Sequence, residues 1–517
     1  MTLAHLVPLI PPRVFYRFFG VLAVIAGSIL LALTAAELVM RWKDRYVLFS
    51  VRAERLASAA ALDAPFRGKW IKPEDAQQYL DSLPIAPGTK REWFFISPPP
   101  PPAGPADPDL VKQWNENADG DQLSSLYVWN LTYRQLVCAR ERKEPFGTKR
   151  IYVFEPPHGE LYPRFRYIPE AKYPTGLRTN RFGFRGPEIS LKKPANVIRI
   201  AFVGASTTVG GHSELWSYPE LVGRWLNEWA AAQGTDVRFE IINAAHEGDR
   251  SMGIAATVEQ EVVALAPDLI VYYEGANQFQ PSDFVRENVD VTTQPFVPPH
   301  FALDDYSALS RRLHTIRAIT RDEGREPPKR PLTVNWPADL SEKDPDLHDP
   351  RLPVKLPQIL GDLDHIRAAA AGVGAETALS SFMWLVYDGM TLNLARDFAL
   401  FDFLNRPYGN FSYAHMRRYA DFQNRVFEKY ARVNGLPFID LASEYPRDPR
   451  LFYDAIHMSA TGIRVQAWIM FQHLVPMAEE RMKSGRWPSR QKVMLPAPQK
   501  YERRMISIAD IVAACRS

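Results

Sequence analysis

Cysteine is nearly missing: Cys138 and Cys515 are the only two in a chain of 517 residues. That excludes a disulfide framework and any Cys-x-x-Cys metal or redox site. A single bridge between the two stays open, because separation along the chain says nothing of distance in the fold, and the redox compartment stays open with it. Excess charge is missing too. Lys and Arg number 62 against 59 Asp and Glu, a formal net charge of +3, which gives bulk electrostatics no hold on nucleic acid. There is no zinc-finger spacing, no Walker loop and no RNA-binding aromatic signature, and no internal repeat. What is present is an ordinary globular balance of apolar, aromatic and charged residues, in a chain too long for one small core, so two or three structural regions are expected.

One long apolar run stands near the start. Phe18 to Ala36 carries no charge, is flanked by Arg13 and Arg17 before it and Glu37, Arg41, Lys43 and Arg45 after it, and has Trp42 at an interface position. A bilayer-spanning helix needs about 20 such residues. A cleavable signal peptide has a shorter apolar core ending in small residues; Thr34-Ala35-Ala36 would serve, but the run is long for that reading, and an uncleaved single-pass anchor over residues 1–46 is expected. Lys and Arg close to the span are more numerous on its C-terminal side, which favours a cytoplasmic domain, yet large domains translocate largely regardless of charge. Charge counting leaves orientation open.

Residues 47–195 match no domain type. They hold the run Ser97 to Pro102 with Gly104, Pro105 and Pro108, read as an extended spacer, and aromatic segments at Tyr127–Trp129 and Tyr152–Phe154 read as short strands. From Asn196 strands and helices alternate: strands Val197–Val203, Phe239–Ile242 and Asp268–Tyr273, helices Tyr218–Ala232 and Ser251–Leu265. This succession specifies an α/β fold, a parallel sheet with helices on its faces. Leu221, Trp225 and Trp229 recur at helical spacing and read as core. An insertion rich in Pro, Asp and Arg is expected over about 280–357, as a lid or substrate-shaping element. A helix near Leu360–Ala371, a strand at Ser381–Val386, a helix at Tyr413–Val433, a strand at Leu436–Asp440 and a helix at Thr461–Met482 follow. The α/β region thus spans 196–484. Residues 485–517 form a basic tail with Arg486, Arg490, Lys492, Lys500, Arg503 and Arg504, read as a solvated surface or a contact for anionic lipid.

The chemistry-bearing residues fall where strands end, which is where open parallel sheets build their sites. The first strand runs into Gly204-Ala205-Ser206, presenting a serine from a tight turn. Taken alone this is an ordinary turn. Near the other end, Asp454-Ala455-Ile456-His457 sets a carboxylate three residues before an imidazole. That spacing lets the acid fix the ring's tautomer and leaves the second nitrogen to take a proton from a serine. Gly248, after the second strand, permits close approach of a backbone N–H. The Asn277 amide, after the third, and the Ser206 N–H complete three candidate donors for an oxyanion.

Four blocks in this order, FVGASTTVG, NAAHEGDRS, YYEGANQF and FYDAIHMSATG, resemble the SGNH hydrolase superfamily (GDSL-like), named for its Ser, Gly, Asn and His. The match spans about Asn196–Gln280 and Tyr413–Met482, and the segment Thr179–Gly186 is similar to one found ahead of the sheet in bacterial members. The resemblance implies a flavodoxin-like three-layer α/β/α sandwich acting on acyl groups with no cofactor and no metal. It assigns catalysis to Ser206, Asp454 and His457 and the oxyanion hole to Ser206, Gly248 and Asn277. Two positions depart from the family pattern: Ala205 replaces the aspartate before serine, and Gln278 the aspartate after asparagine. The function this implies is a serine esterase or deacylase, with O-acetyl groups on carbohydrate as the suggested ester, working on the extracytoplasmic side of the membrane. An O-acyltransferase of envelope glycans and a non-catalytic scaffold of the same fold are the alternatives.

Overall fold

The structure, a computed structural model, describes residues 12–43, 46–53, 73–99, 150–154, 177–210, 216–279, 301–321, 336–392, 397–405, 413–490 and 503–507, with a few single positions between 167 and 172 and between 495 and 498. The chain divides into two compact units: Met1–Ala59 with Val297–Glu323, and Ala60–Phe296 with Gly324–Ser517. Cys138, Cys515, Tyr127–Trp129, most of the proline run, Lys492, Lys500 and much of the insertion lie outside the described residues.

In the smaller unit, α1 (Pro12–Lys43) is unbroken through Thr34–Ala36, and Phe19–Lys43 is long and apolar enough to cross a bilayer. Its last turns are folded against a helix that sequence reading leaves as irregular insertion, Ala308–Arg321. Glu37 accepts hydrogen bonds from the Ser307 hydroxyl (2.7 Å) and the Ala308 and Leu309 amides (both 2.9 Å), satisfying orphan N–H groups at that helix's start. The buried Arg41 pairs with Glu37 at 2.6 Å and donates to the carbonyls of Val47, Ser50 and Tyr306.

The larger unit is built on five parallel strands, β1 (Val197–Gly204), β2 (Arg238–Asn243), β3 (Leu269–Tyr273), β4 (Glu376–Ser380) and β5 (Phe438–Ile439), in the order β2-β1-β3-β4-β5. This is the flavodoxin-like order, which reverses direction between β1 and β3 and opens a crevice at their carboxyl ends. Every residue of β1 and β3 is buried, as strands covered on both faces require. Their register sets Phe202 beside Asn243 and Gly204 beside Tyr273, so the loops after β1, β2 and β3 leave from one rim.

The helices of this unit include α2 (Pro73–Ser82), α3 (Tyr218–Ala232), α4 (Ser251–Thr257), α5 (Leu356–Val373), α6 (Tyr413–Val433) and α7 (Ala460–Lys483). One face of the sheet carries α3 and α7, the other α4, α5 and α6. The first layer closes through an aromatic cluster in which Trp225 meets Trp468 edge-on at 5.4 Å and Phe94 stacks on Trp225 at 6.1 Å. Phe94 comes from the region ahead of the sheet, so residues 73–97 serve as an outer cover: Trp225 Nε1 donates to Ile96 O and Trp468 Nε1 to Pro84 O.

Several boundaries differ from the sequence reading. The fourth strand is Glu376–Ser380, not Ser381–Val386. The apolar run that suggested a strand is a buried loop: Phe382 stacks on Tyr273 at 4.9 Å and the Leu385 amide donates to Ala455 O at 2.7 Å. The true strand is disguised by Glu376, whose carboxylate pairs with Arg481 at 2.9 Å. β5 keeps only two of five expected residues, a short edge of the kind that resists further pairing. The helix expected over Ser251–Leu265 holds α-geometry to Thr257 and then loosens into a π turn and a 3₁₀ turn, ending where Ala266 takes φ +50° ahead of Pro267. Within the basic tail, Arg503–Ser507 pairs antiparallel with Arg150–Phe154.

At the amino end of the sheet, Asp268 is fully buried and binds Lys193 Nζ (2.8 and 2.9 Å), the Arg199 amide (2.7 Å) and the Ser489 amide (2.6 Å). Removing one partner of a buried pair strands the other charge, at a cost of about 3–5 kcal/mol. Asp268→Ala is expected to lower unfolding stability by that amount in chemical denaturation of the full chain, whereas the exposed pair partner variant Glu188→Ala leaves it within about 1 kcal/mol of wild type.

Candidate active site

Ser206 opens a single helical turn, Ser206–Val209, directly after β1. The bend is tight: a side chain at Gly204 would collide with the Tyr273 carbonyl and Thr208 Oγ1. The turn is held from three directions. Thr208 Oγ1 donates to Tyr273 O at 3.2 Å. Asn243, the last residue of β2, donates to Thr208 O (3.2 Å) and Ser217 Oγ (3.1 Å). Arg185 is buried, pairs with Glu220 at 2.9 Å, and donates to the carbonyls of Val209 and Gly210. Neither Arg185 nor Asn243 stood out as functional in the sequence. The only available signal for Arg185 was its place in the Thr179–Gly186 segment.

The loop ahead of α7 is shaped by one carboxylate. Asp454 Oδ1 accepts from the amides of Ile456 (2.9 Å) and His457 (2.7 Å), while Oδ2 lies 2.7 Å from His457 Nδ1. The loop closes with the Tyr453 amide donating to His457 O at 2.8 Å, and Ser459 then caps α7 through the Gly462 amide. An ionised carboxylate only accepts, so Nδ1 carries the proton and Nε2 is the acceptor. That Nε2 lies 2.8 Å from Ser206 Oγ. Asp454, His457 and Ser206 thus form one hydrogen-bonded chain across 251 residues of sequence.

Gly248 and Asn277 stand on the neighbouring loops after β2 and β3. Gly248 takes φ +64°, a left-handed conformation that a side chain would strain. Asn277 Nδ2 donates to Asp249 O at 2.7 Å, joining the two loops and leaving the second amide hydrogen for another acceptor. Within 243–249 Gly248 is the one residue not buried, and within 271–279 Asn277 is the one. Gln278 accepts from the Ser251 amide (3.0 Å) and donates to Ser251 Oγ (2.8 Å), capping α4. His246 is buried, with Nδ1 3.7 Å from the Asp249 carboxylate.

The site is electronegative. Burial alone would depress His457, but the Asp454 carboxylate outweighs it and raises the imidazole above its usual range, with Glu247 and Glu274 adding to the rise. Burial would likewise raise Asp454; the charge and hydrogen bonds of His457, with the Ile456 amide, hold it below the usual carboxylate range. Glu274 is pushed up to about 7 by burial, against the pull of hydrogen bonds from the Asn277 and Ala276 amides. Glu247, whose Oε1 accepts from Tyr167 OH at 3.3 Å, is buried beside them.

No family model matches the chain, and no curated protein matches it. Among solved structures, a catalytic mutant of the acetylxylan esterase Axe2 from Geobacillus stearothermophilus is 14% identical, aligned over 54% of this chain and 94% of its own, with a TM-score of 0.31. A GDSL-like lipase from Bacteroides thetaiotaomicron is 13% identical over 55% of this chain and 88% of its own, with a TM-score of 0.25.

His457 is expected to titrate above an ordinary imidazole in NMR of the ring protons, and Asp454→Asn to bring its pKa down. An unchanged pKa in that variant would mean the carboxylate does not govern the ring.

Proposed function

We propose that this chain is a membrane-anchored serine esterase of the SGNH type. The observation that carries the reading is the hydrogen-bonded chain Asp454–His457–Ser206. In the proposed first step His457 Nε2 takes the Ser206 proton as Oγ attacks an ester carbonyl. The oxyanion is received by the amides of Ser206 and Gly248 and by the second amide hydrogen of Asn277. The imidazolium, stabilised by Asp454, returns its proton to the leaving alcohol. Water, deprotonated by the same ring, then releases the acyl group from Ser206.

The substrate is proposed to be a small acyl ester, with O-acetyl groups on carbohydrate favoured by the motif resemblance. Anchoring is supported by α1 itself: residues just past the Thr34–Ala36 stretch, Glu37 and Arg41, are structural members of a folded unit, which suits retention of the helix rather than cleavage. The extracytoplasmic placement rests on the same motif resemblance.

Hydrolysis of aryl acetates by the detergent-purified full chain tests the reading. Ser206→Ala is expected to abolish both turnover and labelling by a fluorophosphonate. Asn277→Ala should cost roughly 10²–10³-fold in turnover, and Asp454→Asn roughly 10⁴-fold through the wrong imidazole tautomer. Because the ring must be neutral to act as base and its pKa is raised, activity should climb as pH rises through that raised value. Wild-type turnover in Ser206→Ala would end the proposal. Product analysis with a glycan acceptor present separates release to water from transfer to a hydroxyl.

A further inference from the structure

Large apolar side chains left on the surface are unevenly shared. In the larger unit only Ile85, Phe95, Met252 and Val433 are strongly exposed among the described residues. The smaller unit, beyond the bilayer-length stretch of α1, exposes a dense set that includes Trp42 (74%), Phe49 (89%), Val51, Leu303, Leu313 and Ile316. Patches of this kind on so small a unit mark a contact surface.

Helix Ala308–Arg321 shows how that surface is organised. At 100° per residue, Leu309, Leu313 and Ile316 share one face, with Arg312 on one flank and Arg317 on the other. The opposite side is turned inward: Ala308 is buried against Tyr46 and Ala53, and Ser310 and His314 bond the Asp304 carboxylate at 2.6 and 2.8 Å. The helix is also fixed in place. Glu37 caps its first turn and Arg41 grips Tyr306 O, both from the turns where α1 leaves its apolar run. An exposed apolar stripe edged with arginine is therefore held at the end of a bilayer-spanning helix.

We propose that Ala308–Arg321, with the surrounding aromatic and aliphatic residues of this unit, is an in-plane docking surface for the phospholipid bilayer, its apolar stripe at the acyl boundary and its arginines on anionic headgroups. Continuity with α1 favours lipid over a protein partner, since the helix that spans the membrane delivers this surface to the interface. Interfacial helices bury such a face some 5–10 Å into the headgroup region, and each basic residue near an anionic surface adds to the attraction. The insertion is thus a second membrane contact, an inference that rests on the anchor reading of α1 and not on the esterase chemistry.

The test uses the full chain in nanodiscs, with Cys138→Ala and Cys515→Ala as background and an environment-sensitive fluorophore on Leu313→Cys, Ile316→Cys or, as control, Val433→Cys. Nitroxide-bearing lipids are expected to quench the label at 313 and 316 several-fold more than at 433, and more strongly when phosphatidylglycerol is included. Arg312→Glu with Arg317→Glu should remove the phosphatidylglycerol effect. Labels at 313 and 316 as water-accessible and unquenched as at 433 would overturn the proposal. So would labels shielded from water yet untouched by nitroxide lipid, which would assign the face to protein, a second copy included.

Discussion

The Asp454 carboxylate is the constraint from which the rest of the site follows. It is buried, and it accepts from two backbone amides and one ring nitrogen at once. The first two bonds bend the chain into the loop ahead of α7; the third fixes which imidazole nitrogen is left to face Ser206. One group therefore sets both the position and the protonation state of His457. Moving the carboxylate would misplace the ring, and neutralising it would reverse the tautomer. The electronegative surroundings supplied by Glu247 and Glu274 push in the same direction, favouring an imidazolium.

Around this axis the rim of the sheet is braced by residues that never need to touch a substrate. Arg185 ties the carbonyls after Ser206 to Glu220 on α3, and Asn243 reaches the same turn from β2. Gln278, next to Asn277, reaches the first residue of α4 through the Ser251 amide and hydroxyl. Asn277 itself divides its amide between Asp249 O and the open side. A buried polar group so bonded both rigidifies and specifies, and the bonds here run between the loops that follow three different strands.

How much of this was legible in the sequence depended on period and punctuation. The parallel sheet with helices on its faces could be expected because β1 and β3 are short apolar runs and α3 carries Leu221, Trp225 and Trp229 at helical spacing, whereas the flavodoxin-like arrangement was implied only by the motif resemblance. β4 was misplaced by six residues of apolar loop, since a buried loop and a buried strand have the same composition and Glu376 and Thr377 look like surface. The meeting of Ser206, Asp454 and His457 was suggested by the order of motif blocks and by no local pattern, because contacts across hundreds of residues leave no periodic trace. Arg185 and Asn243 were silent for a related reason: beside Glu220 and Ser217, their partners at the Ser206 turn are backbone carbonyls, which every residue has. Ala308–Arg321 went unread because its apolar face is narrow and its arginines look like solvent-facing loop.

The smaller unit is assembled from two stretches that are far apart in sequence, and this alters what a single backbone cut can do. The chain passes between the two units after residues 59, 296 and 323. A tether made of one strand is severed by one nick. Here a nick at the first passage would leave the C-terminal piece still gripped by Glu37 and Arg41 through its own segment around Tyr306 and Ala308, so separating the larger unit from α1 would need cuts at both remaining passages as well, or loss of those hydrogen bonds.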